Sequence, residues 1–142
     1  MAAEERRAWQ YGIITIVAYT VYVSTVVTMA GSRPITEVAF EWPMIWTVVG
    51  AIVASIVLSI VVGMFFPRDA GKADVRDKQI SRFGDFVGQG FVIAGAVAAM
   101  LMAIADWDRF WIANVIYLGF VLSGVLSAVA RIMAYRKGFQ PW

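Results

Sequence analysis

A chain of 142 residues in which 61% are hydrophobic, with a mean hydropathy of +0.72, is too apolar for an ordinary soluble domain and points to the lipid bilayer as its solvent. With no cysteine and no histidine, it lacks disulfides, thiolate nucleophiles, Cys/His zinc sites, His-ligated haem and the commonest neutral-pH proton relay. Neither a cofactor, a metal nor an enzymatic activity is expected, and the formal charge of +2 informs only through where the charges lie.

In chain order, the basic stretch Met1–Arg7 is followed by about 20 apolar residues, longer than a signal-peptide core and without a small-residue cleavage site, so a retained helix is expected. Four runs are long enough to cross the hydrocarbon as helices, at 11–30, 44–66, 86–105 and 110–133. They are continuous and too long for the alternating strands of a β-barrel. Pro67 should end the second helix, since its ring interrupts the hydrogen-bond ladder and restricts Phe66. The polar segment 67–85 reads as a solvated connector or, from Ala73 onward, as an interfacial helix leading into the third span. The short connection Asp106–Arg109 makes spans three and four antiparallel neighbours. The expectation is therefore all-α: a single transmembrane domain, a four-helix bundle of two antiparallel hairpins.

Ten of the 12 Lys and Arg fall on one side: Arg6 and Arg7 before the first span, Arg68, Lys72, Arg76, Lys78 and Arg82 in the long loop, and Arg131, Arg136 and Lys137 at the end. Arg33 and Arg109 on the other side are outweighed by Glu37, Glu41, Asp106 and Asp108. Basic residues near span ends stay cytoplasmic, which predicts a multi-pass protein of the cell membrane with both termini inside. The basic loop should meet anionic lipid headgroups, while no nucleic-acid module is visible.

Within the spans, helices that cannot gain from the hydrophobic effect against lipid associate through small residues. Candidate faces are Thr20, Ser24 and Thr28; Ala51, Ser55, Ser59 and Gly63; Gly84 and Gly88, then Gly90, Ala94 and Ala98; and Gly119, Ser123 and Ser127. No ionisable residue lies at mid-depth, so the carboxylate that small four-helix multidrug transporters require in their first span is missing. Gln89 and Asn114 are the most polar residues there and read as interhelical hydrogen-bond partners. Four outer-loop acids, Glu37, Glu41, Asp106 and Asp108, offer a weak calcium pattern but read better as solvated charge. Glu41-Trp42…Trp46 and Asp106-Trp107…Trp111 repeat at an offset of 65 residues, through either duplication or the ordinary preference of Trp for interfaces.

If the turn near Trp107 and Asp108 joins two straight helices, residues at equal depth have numbers summing to about 215. Asp85 with Arg131, and Gln89 with Ser127, are then predicted to form a charge pair and a polar pair near the cytoplasmic boundary. The run Lys72-Ala73-Asp74-Val75-Arg76-Asp77-Lys78-Gln79-Ile80 resembles the central loop of an uncharacterised family of small four-helix bacterial membrane proteins, which have an Asp-x-Arg-Asp-x-x-Ile stretch at this point. The resemblance implies the same fold, a bacterial inner-membrane location and no established activity, and it makes the loop a docking candidate for a cytosolic regulator. Two functions remain open. One is a non-catalytic accessory subunit or regulator, in a larger complex or a homo-oligomer; the other is a small transporter or channel.

Overall fold

A computed structural model describes residues 3–65 and 75–137, so Pro67, Arg68 and Lys72 lie outside the described residues. Four α-helices account for most of it: α1 Ala3–Ala30, α2 Glu41–Phe65, α3 Val75–Ile104 and α4 Arg109–Lys137. Among the described residues there is no strand, and all four helices are long and apolar enough to span a membrane. The protein is an all-α four-helix bundle. α1 and α2 form one hairpin and α3 and α4 the other, with further contact between α1 and α4. Helix α2 lies at the margin against α1, and none of its residues is buried.

Helical order extends beyond the apolar runs. At 30 residues, α3 is about 45 Å long against a hydrocarbon thickness of roughly 30 Å. Its first turns therefore project past the span as one continuous rod. Of the two readings of 67–85, the connector gives way from Val75 onward to a helix leading into the third span, because no Gly or Pro interrupts it before Gly84 and it leans on the end of α4. The starts of α1 and α4 and the end of α4 likewise extend past the apolar runs.

Glycines decide how α3 meets α4. A Cβ on Gly95 would stand 3.1 Å from the Gly119 Cα, and one on Gly119 would stand 3.2 Å from the Gly95 Cα, so two backbones touch where the helices cross. At Gly88 a Cβ would come within 2.8 Å of the Ser123 Oγ and 3.3 Å of the Ser127 Cβ. The contact face of α3 is thus Ile80, Gly84, Gly88, Gly95 and Ala99, and four of these five helix positions are buried. Gly90 and Ala94 are exposed instead, and Gly90 has no neighbour within 4 Å of where a Cβ would stand. Sequence spacing by fours could not separate the two faces, since Gly84 with Gly88 and Gly90 with Ala94 satisfy it equally. α1 meets α4 by the same device, through Gly12 against Ala128 and Thr15 against Gly124. Thr20, Ser24 and Thr28 point outward, Ala51, Ser55 and Ser59 are half-buried, and Gly63 is exposed.

The outer connections are built by local chemistry. Trp107 N–H donates to the Met102 carbonyl at 2.9 Å and Asp106 N–H to that of Ala103 at 3.2 Å, the paired bonds of a Schellman cap, with Asp106 in the left-handed region at φ 58°. Asp108 then caps α4, its Oδ1 accepting the Phe110 N–H at 3.0 Å. Asp106 thus builds the turn through its backbone and Asp108 through its carboxylate. The repeat of acid and Trp does not extend to this level, because α2 begins at its acid, Glu41, whereas α4 begins three residues after Asp106. The core clusters at this end, where Val38 and Phe40 from the first connection pack on Tyr22, Val26, Phe110, Tyr117 and Val121.

These contacts separate two glycines. Gly95→Ala should lower stability in detergent by about 1–3 kcal/mol, because backbone must move. Gly90→Ala should be neutral or stabilising by up to about 1 kcal/mol through helix propensity. Thermal unfolding of both variants checks this, and equal effects would mean that α3 packs through another face.

Candidate functional site

Two constellations of polar side chains stand out, one at each end of the bundle. At the end that carries both termini, α3 and α4 run side by side. The Arg131 guanidinium forms an ion pair with Asp85 across the two helices and donates from Nη2 to the Ser81 carbonyl at 3.2 Å. Its side chain lies over Gly84, where a Cβ would come within 2.6 Å of the Arg131 Cγ. Glycine is needed at 84 for the arginine to cross. The two partners differ in setting, since the Arg131 side chain is 20% exposed and that of Asp85 is 73% exposed.

One and two turns further out the clamp continues. The Tyr135 hydroxyl donates to Asp77 Oδ1 at 2.6 Å, and the Arg76 guanidinium stands 5.9 Å from the centre of the Tyr135 ring. On the other flank Arg136 Nε donates to the buried Glu5 carboxylate of α1 at 2.9 Å and stands 5.9 Å from the Trp9 ring. Three helices are thus tied together at this end, and Arg76, Lys78 and Arg82 are exposed on the projecting part of α3.

Gln89 and Ser127 do not pair. Ser127 is buried against Gly88, one position earlier, whereas Gln89 is exposed and has no hydrogen-bond partner among the described residues. The predicted register is sound to one residue, but one residue on a helix is a rotation of about 100°, which takes the amide off the contact face.

At the opposite end the structure places Asn114 in an interhelical hydrogen bond. Tyr22 of α1 donates its hydroxyl to Asn114 Oδ1 at 2.5 Å, while Asn114 Nδ2 donates to the Phe110 carbonyl at 2.7 Å. Beside them the Tyr117 and Thr47 hydroxyls are 2.8 Å apart, joining α4 to the marginal α2. Tyr19, Tyr22 and Tyr117 form a three-ring cluster with centroids 4.8–6.2 Å apart. A cavity of about 250 Å³ opens next to it between α1 and α4. Sequence reasoning picked out Asn114 but not the tyrosines. The available signal was Tyr19 and Tyr22, three residues apart and so on one face of an otherwise aliphatic helix.

The outer loops also meet, through an ion pair of 2.6 Å between Arg109 and Glu41. That pairing takes one acid out of the calcium pattern, and among the described residues no group of three or more acids is placed to hold a metal ion. Comparison with protein-family models, curated proteins and solved structures gives no match. The fold and the geometry above therefore carry the functional reading.

The clamp makes three linked predictions. Asp85→Asn and Arg131→Gln should each destabilise, Arg131→Gln more, because it also removes the bond to Ser81 and empties a mostly buried position. Gly84→Ala should cost about 1–3 kcal/mol by pushing the Arg131 side chain off its path. The exchange Asp85→Arg with Arg131→Asp should recover part of the loss, and the absence of any recovery in a double-mutant cycle would count against a direct pair.

Proposed function

We propose that the chain is a non-catalytic, polytopic membrane protein, an accessory subunit or regulator, and that it acts through the basic face at the end carrying its termini. The observation that carries this reading is the projecting start of α3. A flexible loop would lose conformational entropy on binding, whereas Val75–Asp85 is already a helix, braced on α4 by Asp77, Asp85 and Arg131. Its exposed Arg76, Lys78 and Arg82 present a preorganised positive surface at the membrane boundary. Such a surface suits anionic headgroups and an acidic patch on a cytosolic partner.

In this reading the terminal end is cytoplasmic and the membrane is a bacterial inner membrane. The ten-to-two split of Lys and Arg supports the first point, and the resemblance of 72–80 to the small four-helix family supports the second. The alternative of a small transporter or channel draws no support from the two intramembrane amides. Gln89 lies on an outward face of α3, and Asn114 is engaged between α1 and α4.

Two measurements test the proposal. A reporter active only in the cytoplasm should be active when fused after Trp142 and silent when inserted near Ser32; the opposite pattern would reverse the orientation. In native membranes opened with mild detergent, a stoichiometric partner should co-purify, and its retention should fall several-fold in the double variant Lys78→Gln with Arg82→Gln. Robust solute or ion flux in liposomes, abolished by a substitution at Gln89 or Asn114, would overturn the accessory role in favour of transport.

A further inference from the structure

The cavity beside the tyrosine cluster has a definite chemistry. Tyr19, Tyr22, Phe110 and Trp111 supply aromatic walls, valines with Ile35 and Leu118 supply the aliphatic part, and Asn114 is the one amide in the lining. Its rim faces lipid: Val23, Val27, Trp111 and Leu118 are between 38% and 55% exposed, so a molecule can enter sideways from the bilayer. Two of the lining residues carry hydrogen-bonding groups that are not fully used among the described residues. The Tyr19 hydroxyl has no hydrogen-bond partner among the described residues, its contacts being with the rings of Tyr22 and Tyr117. Asn114 commits one N–H to the Phe110 carbonyl and its oxygen to Tyr22, which leaves its second N–H.

Depth narrows the ligand. Tyr19 lies eleven residues inside the end of α1 at Ala30, and Asn114 five residues inside the start of α4 at Arg109, which is roughly 16 and 8 Å below the outer ends of these helices. Ester carbonyls and charged headgroups of phospholipids stay nearer the interface, while a plain acyl chain reaches this depth but leaves both donors unmet. The group that fits is flat, uncharged, soluble in hydrocarbon and able to accept hydrogen bonds. A cavity of about 250 Å³ is below the usual range for a whole drug-sized ligand. It holds a ring, with any tail left in the bilayer.

We propose that this cavity is a binding site for the ring of a lipid-soluble quinone, with one ring carbonyl accepting from the Tyr19 hydroxyl, another from the free N–H of Asn114, and the apolar tail leaving past Val23, Val27 and Leu118. The site binds and orients the ring. It stands on the outer-end geometry alone and does not depend on the role assigned to the basic face.

The test uses the full chain in phosphatidylcholine vesicles titrated with a short-tailed quinone while tryptophan emission is recorded. Trp111 on the cavity wall makes quenching a direct readout. Quenching should saturate at about one quinone per chain. Tyr19→Phe, which keeps the ring and its packing, should weaken binding by roughly three- to tenfold, the loss of one hydrogen bond. Val27→Trp, which fills the mouth, should abolish the saturable component. Thermal unfolding of Tyr19→Phe close to that of the parent shows that the loss belongs to the site. Quenching that rises without saturation and equally in parent and variants would overturn the proposal. So would equal competition by a fatty-acid methyl ester, since it would show that the cavity takes chains and not rings.

Discussion

Helices α3 and α4 meet backbone against backbone, where Gly95 and Gly119 approach until a Cβ on either would stand only 3.1–3.2 Å from the Cα of the other. In a bilayer that contact has a particular weight. Lipid tails are as apolar as any leucine, so helices gain little by hiding side chains from them, and association falls to close packing and to polar pairs. α3 and α4 have both, with Gly88 against Ser123 and Ser127 below the crossing and Arg131 over Gly84 below that. α2 shows the converse. It has no buried residue, and its side-chain bonds to α4 among the described residues are the hydroxyl contact between Thr47 and Tyr117 and the ion pair of Glu41 with Arg109 at its outer end.

From that crossing the two ends diverge in character. Towards the termini the helices outrun the hydrocarbon, and charged groups become affordable only in pairs: Asp85 with Arg131, and Glu5 with Arg136. Towards the loops the bundle opens, and the gap between α1 and α4 is lined with rings. Trp and Tyr at that level follow the general preference of amphipathic aromatics for the interface. The cluster of Tyr19, Tyr22 and Tyr117 is different, because it faces inward and carries hydroxyls that need partners.

Much of this was legible in the residues. Four spans, their pairing into hairpins and the register of α3 on α4 all follow from apolar run lengths and one short turn, since a hairpin with four intervening residues has little freedom. What could not be read is rotation. Gly84, Gly88, Gly90 and Ala94 are all small, and only the position of α4 decides that the first two are buried and the others exposed. Gln89 was misplaced for this reason, since its depth was right and its azimuth was not. The helical state of Val75–Asp85 was left open between two readings. Its charges suit a solvated connector as well as a helix, and it is the tertiary bond from Tyr135 to Asp77, with Arg131 on Asp85, that selects the helix.

The same limit explains why the two constellations differ in how they were found. Charges announce themselves in a membrane sequence because each is costly enough to demand a reason, so Asp85 and Arg131 could be paired by arithmetic. Tyrosines do not, since in any one span they pass for interfacial anchors. Only when Tyr19, Tyr22 and Asn114 are brought to one wall does it emerge that the Tyr19 hydroxyl and one Asn114 N–H have no hydrogen-bond partner among the described residues. In hydrocarbon, where no water can make up the difference, a donor left over at the edge of a cavity is most simply satisfied by something that enters it.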